Sequence, residues 1–218
     1  MTHLYHILRD SFGPRQWWPA DTPWEVMVGA ILTQNTNWKN VEAAIRNLKR
    51  AERLEAPLLA SAAPEELQEL VRPAGYFRQK SARLKGLAQW WLESTGGSTE
   101  GLADRSVEDL RRELLAIKGI GPETADSIIL YALGKPTFVV DAYTARICGR
   151  HGLIEPGAGY MEIKELFESS LPVDTELYQD YHAQLVELGK RFCRKKPLCG
   201  KCPVLAELGS PLIAEDEF

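Results

Sequence analysis

The sequence predicts an all-α protein. Apolar residues recur at helical spacing along most of the 218 residues, and helix-start signals precede several of these stretches. Strand signals are nearly absent, and the clearest β-branched apolar run is the short segment from Thr137 to Val140. Because 44% of the residues are hydrophobic, the chain can bury the core of one or two domains.

The helices can be placed in order from their start signals. Residues Thr22 to Glu25 have the pattern of a capping box with proline at the first helical position, and the apolar stretch WEVMVGAIL within and behind them predicts a buried helix. Asn37 is a candidate N-cap for the next helix, WKNVEAAIRNLKR. Further helices are predicted over residues 64–71, 77–94, 106–117, 122–133, 142–151, 160–169 and 174–192.

A glycine turn between two of these helices is the strongest functional signal. Gly119 and Gly121 allow positive φ and the close approach of another backbone, and Pro122 suits the first position of the second helix. The free N–H groups at the start of that helix form a site for an anion. We therefore expect a phosphate to bind here, with Lys118, Gly119, Gly121 and Thr124 as candidate contacts. An ordinary glycine turn between two helices is the alternative interpretation.

A single carboxylate follows the hairpin. Asp141 comes directly after the apolar run that ends at Val140 and directly before a predicted helix, AYTARICGRHG. Aspartate is a favoured N-cap, so Asp141 could be no more than a cap. The two roles are compatible, because capping would fix the position of the carboxylate. Asp141 is our candidate catalytic residue.

These motifs resemble the helix-hairpin-helix DNA glycosylases of the endonuclease III superfamily. In that family an LxxxxGxGxxTA hairpin is followed by a VDT or VDA segment that holds the catalytic aspartate, and this chain has LLAIKGIGPETA and VVDAYTARI. Residues 16–38 and 71–84 most resemble the 3-methyladenine DNA glycosylase III branch. The resemblance implies duplex DNA with damaged bases as the partner.

The resemblance also implies a domain organisation. Residues 21–134 would form a six-helix barrel-like domain that contains the hairpin. Residues 1–20 and 135–218 would together form a discontinuous second domain that carries Asp141, with the catalytic cleft between the two domains.

One departure from the family pattern bears on the chemistry. Bifunctional members carry a lysine where this chain has Glu123, and that lysine attacks the sugar as an amine. A carboxylate cannot form a Schiff base, and Lys118 lies before the turn and does not align with the family's lysine. The resemblance therefore implies base removal without lyase activity. Glu123 also suits the first turn of a helix on electrostatic grounds.

Two polar segments are candidate DNA-reaching loops. Gln34 and Asn35 lie between the buried helix and its successor, and Tyr76 lies in the segment RPAGYF. In the superfamily the first loop fills the gap that a nucleotide leaves when it flips out of the duplex, and Gln34 matches that position. A simple turn at the end of a helix is the alternative for Gln34, and a core position is the alternative for Tyr76.

The tryptophans bear on the substrate. Trp17 and Trp18 precede a proline, and either could form a wall of the base pocket. A purine alkylated at a ring nitrogen is positively charged, and an indole face attracts cations. Such a base is a good leaving group, which fits a site with one obvious carboxylate. Core packing is the alternative for these tryptophans. No histidine shows ligand spacing, and none is assigned a role.

The cysteines raise the question of a cofactor. Cys193, Cys199 and Cys202 are spaced Cys-x5-Cys-x2-Cys, whereas many superfamily members have Cys-x6-Cys-x2-Cys-x5-Cys and bind a 4Fe-4S cluster. The fourth position here is Leu208, and Cys148 in the helix after Asp141 does not suit as a substitute. A structural iron–sulfur cluster, a vestigial loop and isolated reduced thiols all remain open.

Charge and hydropathy set the remaining expectations. The formal net charge of −4, taken by itself, argues against nucleic acid as a partner. Residues 72–85 and 190–201, however, carry basic residues without a single acid, which predicts DNA-facing surfaces, with solvated basic faces as the alternative. No signal peptide or membrane-crossing stretch is visible, so we expect a monomer in the cytoplasm at the nucleoid.

The sequence therefore predicts a monofunctional DNA glycosylase that flips and hydrolytically removes a damaged base. The favoured substrate is an alkylated purine such as 3-methyladenine. Two alternatives remain open, which are a glycosylase for oxidised pyrimidines or mismatched bases and a non-catalytic protein that binds DNA structures.

Overall fold

The computed structural model describes residues 1–15 and 18–211, and this part of the chain contains helices and no strand, which confirms the all-α prediction. The helices are α1 (Thr2–Phe12), α2 (Pro23–Leu32), α3 (Trp38–Arg50), α4 (Ala56–Ser61), α5 (Pro64–Val71), α6 (Phe77–Thr95), α7 (Val107–Ala116), α8 (Pro122–Ser127), α9 (Ala142–Arg150), α10 (Tyr160–Ser170), α11 (Thr175–Arg191) and α12 (Leu205–Leu208). A π-helical segment, Ile128–Ala132, continues α8, and 3₁₀ turns occupy Arg72–Ala74, Glu100–Leu102 and Cys199–Lys201.

The chain divides into two compact units. One consists of Met1–Trp17 and Pro136–Phe218, and the other is Trp18–Lys135. From the sequence, the domain boundaries were expected after residues 20 and 134. No helix among the described residues is both long and apolar enough to cross a membrane.

Helix α2 is central to the core of the continuous unit. Every residue of α2 after Pro23 is buried, as its uniformly apolar sequence predicts. At its start the Thr22 hydroxyl accepts a hydrogen bond from the Glu25 backbone N–H at 3.1 Å. The return bond of the capping box goes from the Asp21 N–H to the Glu25 carboxylate at 3.3 Å, one residue earlier than the pattern predicts. These two bonds fix the start of α2.

In the discontinuous unit α9 packs closely on α11. A Cβ atom added at Gly189 of α11 would lie 2.3 Å from Cδ1 of Tyr143 on α9, so the contact requires a residue without a side chain there. Behind this contact, Phe138 stacks on Phe167 with ring centroids 4.1 Å apart, and Tyr181 packs edge-on against both. The segment before Asp141 is therefore anchored in an aromatic core although it forms no strand.

Candidate active site and nucleic-acid interface

The predicted hairpin consists of α7, the turn at Lys118 to Gly121, and α8. Gly119 has φ +90°, and a Cβ added there would lie 2.3 Å from Nε of Arg83. Gly121 differs, because its φ is −95° and an added Cβ would meet nothing within 4 Å. The expectation that both glycines serve a positive φ is therefore wrong for Gly121. The open space beside Gly121 leaves its backbone accessible to a partner, and Lys118 is exposed.

Gln34 is tied to this hairpin. Its Nε2 donates to the Thr124 hydroxyl at 2.9 Å and to the Gly119 carbonyl at 3.3 Å. Its Oε1 accepts a hydrogen bond from Nη1 of Arg83, the side chain that packs on Gly119. Thr124 is buried, so its hydroxyl is engaged within the protein by Gln34. The structure thus brings together three of the predicted site residues, and Arg83 is a fourth participant that the sequence did not single out.

The two predicted DNA-reaching loops share a buried lysine. Lys80 is fully buried, and its Nζ donates to the Leu32 carbonyl at 2.9 Å and to the Ala74 carbonyl at 2.7 Å. The first carbonyl ends α2, just before Gln34 and Asn35, and the second lies just before Tyr76. Burial, together with the nearby charge of Arg83, lowers the pKa of Lys80 to about 8. Lys80 therefore holds both loops at one point.

Both loops have left-handed backbone at a residue other than glycine. Asn35 has φ +52° and is exposed, and Tyr76 has φ +44° and keeps 61% of its surface exposed. Such backbone is costly and is often found where a loop presents a side chain for function. The exposure of Tyr76 argues against the core position that the sequence left open.

The two basic segments differ in the structure. In residues 72–85 most of the charges are engaged within the protein, since Lys80 is buried, Arg72 pairs with Glu69, and Lys85 donates to the Ala62 carbonyl at 2.6 Å. The segment at residues 190–201 is different, because all of its basic side chains are exposed: Lys190, Arg191, Arg194, Lys195, Lys196 and Lys201. This second segment forms the exposed basic surface.

Asp141 caps α9, as the sequence allowed. Its Oδ1 accepts hydrogen bonds from the Thr144 N–H at 2.8 Å and the Thr144 hydroxyl at 2.9 Å. Its Oδ2 lies 3.8 Å from Nε2 of His182 on α11, and 13% of the carboxylate side chain is exposed. Burial would raise the pKa of Asp141, but the His182 imidazole and the two bonds from Thr144 hold it below the usual range.

Sequence reasoning missed His182. His182 lies in α11, whereas Asp141 caps α9, and the two residues are 41 positions apart in the sequence (182 minus 141). The His182 residue is only 5% exposed. Its spacing from the other histidines carried no signal, because its partner is a carboxylate. A histidine on the buried face of α11 was the only available sign, and a buried histidine usually has a polar partner. The site therefore has a carboxylate, a hydroxyl and an imidazole.

Of the two pocket tryptophans, Trp17 lies outside the described residues. Trp18 packs on α2, and a Cβ added at Gly29 would lie 3.1 Å from its Nε1. Its ring lies 5.7 Å from that of Trp38 in an edge-on arrangement and 5.1 Å from that of Tyr131. The Nε1 atom is buried and makes no hydrogen bond within the described part of the chain. Trp18 thus belongs to a partly buried aromatic cluster.

The cysteine segment is held by α9. Nε of Arg146 donates to the Cys193 carbonyl at 2.9 Å, and Nη1 of Arg150 lies 3.4 Å from the Cys193 sulfur. Cys193, Cys199 and Cys202 line one pocket. Within residues 1–15 and 18–211, no three histidine, cysteine, aspartate or glutamate side chains are arranged to hold a single metal ion. Cys148 is buried elsewhere, and burial with the Asp141 charge raises its pKa to about 12.

An all-α chain with this hairpin and a capping aspartate behind it has the parts of a helix-hairpin-helix DNA glycosylase. Residues 28–172 match the family model of the HhH-GPD superfamily base excision DNA repair proteins. The chain belongs to this superfamily, and its class is therefore that of the DNA glycosylases of base excision repair.

Individual relatives agree with this assignment. A Methanocaldococcus jannaschii chain named as a DNA repair glycosylase is 52% identical over 202 residues, or 92% of each chain. Endonuclease III of Thermotoga maritima is 32% identical over 181 residues, which are 83% of this chain and 79% of that one. Among solved structures, the 3-methyladenine DNA glycosylase of H. pylori bound to 1,N6-ethenoadenine has a TM-score of 0.75 at 29% identity and covers 87% of this chain and 96% of its own.

Proposed function

We propose that this chain removes alkylated purines such as 3-methyladenine from duplex DNA and that Asp141 is its catalytic residue. The observation that carries the proposal is the environment of Asp141. Its carboxylate is fixed by Thr144, kept ionised next to His182 and still partly exposed. A fixed, ionised carboxylate is suited to stabilise positive charge on a sugar and to accept a proton from water.

The reaction is a hydrolysis in which one bond breaks and one forms. The bond between the sugar anomeric carbon and the base nitrogen breaks, and its electron pair leaves with the base. A cationic alkylpurine becomes neutral when it takes that pair, so it needs no added proton. A water oxygen then bonds to the anomeric carbon, and its proton goes to the carboxylate of Asp141. One carboxylate is therefore enough for this class of substrate.

The continuous unit would hold the DNA. The hairpin backbone at Lys118, Gly119 and Gly121 would bind a phosphate, since such turns present N–H groups to anions. Gln34 and Asn35 would occupy the gap left by the flipped nucleotide, and Tyr76 would reach the duplex from the second loop. In the free protein the bonds from Gln34 to Gly119 and Thr124 position this residue against the hairpin.

Aromatic side chains would bind the flipped base. Trp18 lies in a cluster with Trp38 and Tyr131, and Trp17 precedes it in sequence. Stacking with a cation–π term would favour a charged purine over a neutral base. The likeness to the H. pylori 3-methyladenine glycosylase supports this choice of substrate class.

A second candidate is a glycosylase for oxidised pyrimidines or mismatched bases. The relative from T. maritima named endonuclease III favours this class, as does a Pyrobaculum aerophilum thymine/uracil-DNA glycosylase that is 28% identical. A DNA-structure-binding protein without catalysis is the third candidate, and the membership of the chain in a superfamily of base excision repair glycosylases argues against it.

A lesion panel tests the proposal. Duplexes with 3-methyladenine, 1,N6-ethenoadenine, thymine glycol, uracil or a thymine mismatch are incubated with equal enzyme, and the free base is measured. We expect release of alkylated purines, and Asp141→Asn should lower the single-turnover rate about a hundredfold or more without a comparable loss of DNA affinity. Faster release of thymine glycol or uracil would replace the alkylpurine proposal, and unchanged release by Asp141→Asn would remove the catalytic assignment.

A further inference from the structure

The cysteine segment has three thiols where the family's cluster has four. The position of the fourth cysteine is Leu208, and Cys148 does not line the pocket of the other three. Iron–sulfur clusters of this kind take four protein ligands. A cluster at this place therefore needs one further donor from another part of the chain.

His151 lies at that place. It follows the last residue of α9 and lines the same pocket as Cys193, Cys199 and Cys202. Its Nδ1 is buried and has no hydrogen-bond partner in the described part of the chain, and its ring lies near the Leu208 backbone. A buried ring nitrogen without a partner is the atom that a ligand in this pocket would bind.

This arrangement is the one that a ligating histidine adopts. A histidine that binds a metal usually donates its other ring N–H to a backbone carbonyl or a carboxylate, which fixes the tautomer and the ring orientation. Here the neighbouring backbone is that of Leu208, the residue that replaces the missing cysteine. The backbone at this position would then orient a ligand instead of supplying one.

We propose that Cys193, Cys199, Cys202 and Nδ1 of His151 are the four ligands of a 4Fe-4S cluster. The proposal rests on the family membership of the chain and is independent of the base that the enzyme removes. The residues present fit the group, because three cysteines and a histidine with a buried, unpartnered Nδ1 line one pocket. The role of the cluster would be structural, since the segment it holds carries the exposed basic surface of residues 190–201.

Arg150 fits the charge of such a site. Its side chain is fully buried, and Nη1 lies 3.4 Å from the Cys193 sulfur while donating to the Arg194 carbonyl at 2.6 Å. A guanidinium N–H can donate to a ligand sulfur, and hydrogen bonds to ligand sulfurs are a usual feature of iron–sulfur sites. The described residues lack an arrangement for a single metal ion, whereas the ligands of a cluster surround a larger group and stand farther apart.

Metal content is the first test. Full-length protein is purified without oxygen, and its iron, acid-labile sulfide and zinc are measured together with its visible absorption. We expect about four irons and four sulfides per chain. His151→Ala should lose most of this iron and the absorption, whereas the control His6→Ala, which changes an exposed histidine of α1, should keep both.

The second test identifies the ligand in a folded, loaded protein. His151→Cys restores four thiolates, so it should keep the iron and lower the reduction potential, because imidazole ligands raise the potential relative to thiolates. In wild-type protein labelled with ¹⁵N-histidine, the reduced cluster should show a nitrogen hyperfine coupling that His151→Cys lacks.

The outcomes separate the parts of the proposal. A full iron complement and an unchanged spectrum in His151→Ala would exclude His151 as a ligand. Zinc in place of iron, or no metal in the wild-type chain, would exclude the cluster. Base release from the lesion panel is measured on the same preparations, so failure of the cluster proposal is distinguishable from failure of the glycosylase proposal.

Discussion

At Asp141, burial and hydrogen bonding act on one carboxylate in opposite directions. Burial alone would raise the pKa of the group, and the His182 imidazole and Thr144 hold this pKa below its ordinary value. Because the folded pKa lies below that of the unfolded chain, the ionised carboxylate stabilises the fold above the ordinary aspartate pKa, and this contribution is lost as the pH falls through the lower folded value. His182 is thus a positioning residue for the proposed catalytic group.

Replacing His182 should therefore change the pH dependence of base release. In His182→Gln burial remains and the imidazole is gone, so the pKa of Asp141 should rise. The bonds from Thr144 would still favour the ionised form, and the buried thiol of Cys148 would supply no positive charge. A pKa one unit above the assay pH leaves about a tenth of the carboxylate ionised. Single-turnover release between about pH 5 and 8 should stay flat in wild type and fall at the acid end in the variant. A parallel loss at every pH would indicate a purely structural role.

The two glycines of the hairpin should respond differently to substitution. Gly119→Ala places a Cβ at φ +90° and against Arg83, so the free energy of unfolding should fall by about 1–3 kcal/mol. Gly121→Val has open space and φ −95°, so the fold should be kept while the affinity for damaged and undamaged duplex falls alike, because backbone contacts carry no sequence information. Unchanged affinity of a folded Gly121→Val variant would show that this turn does not contact DNA.

Among the elements, the loops after α2 and before α6 depend on a side chain in α6. Lys80 donates to the Leu32 and Ala74 carbonyls in a buried environment, and its neutral amine retains enough N–H groups for both bonds. With a folded pKa of about 8 and an ordinary value of 10.5, the unfolded chain holds a proton between these pH values that the folded chain has released. This group therefore makes the fold more stable as the pH rises from 8 towards 10.5.

Lys80→Met should remove this pH dependence and loosen both loops together. Two buried carbonyls would lose their donor, at a cost of about 2 kcal/mol or more, offset in part because no charge is buried. We expect faster amide exchange in residues 33–37 and 72–77 at the same time, and a smaller rise of unfolding free energy between pH 8 and 10. Lys85→Met, which removes one carbonyl contact from the same helix, is the control. Faster exchange in one loop alone would show that Lys80 does not couple them.

The helices that the sequence predicted are those with side-chain caps or long apolar faces. Thr22, Asn37 and Asp141 each cap their helix through a side-chain oxygen, as their patterns indicate. Ser106 caps α7 in the same way. Helices α1, α4 and α12 were not predicted, because no side-chain cap begins any of them and α4 and α12 are only six and four residues long. A helix that begins with a side-chain cap can be predicted from its local sequence. A short helix without such a cap depends on the tertiary packing around it, which the local sequence does not show.

The candidate site was predictable only where its residues belong to motifs. Asp141 and the hairpin follow from local patterns, whereas Arg83, Lys80 and His182 act through partners that are distant in sequence. Lys80 gave a partial sign, because it occupies a core-facing position four residues before Leu84 in α6. A lysine there reads as a surface residue until the two carbonyls it satisfies are known.

For the whole molecule, charge distribution matters more than net charge. The chain carries a formal charge of −4, and yet every basic residue from Lys190 to Lys201 is exposed in a segment without acids. Lysines and arginines on such a surface release counterions when they neutralise phosphates, so DNA affinity should depend on salt despite the negative total. DNA affinity depends on many basic side chains, whereas lyase activity depends on the amine of one lysine at the reacting sugar.

Glu123 stands where bifunctional members of the family carry that lysine, and the last prediction therefore concerns the products. Lys80 has the lowered pKa of an amine nucleophile, but it is buried and bonded to two carbonyls, and the family's lysine position is occupied by the exposed Glu123. Product DNA should therefore carry intact abasic sites that break only after alkali or heat, and borohydride should trap no adduct. Glu123→Lys restores the family's residue and should yield a trapped protein–DNA adduct, with Glu123→Gln as the control that removes the charge without supplying an amine. Trapping by the wild-type chain at the level of Glu123→Lys would show that another amine reaches the sugar and that the enzyme is bifunctional.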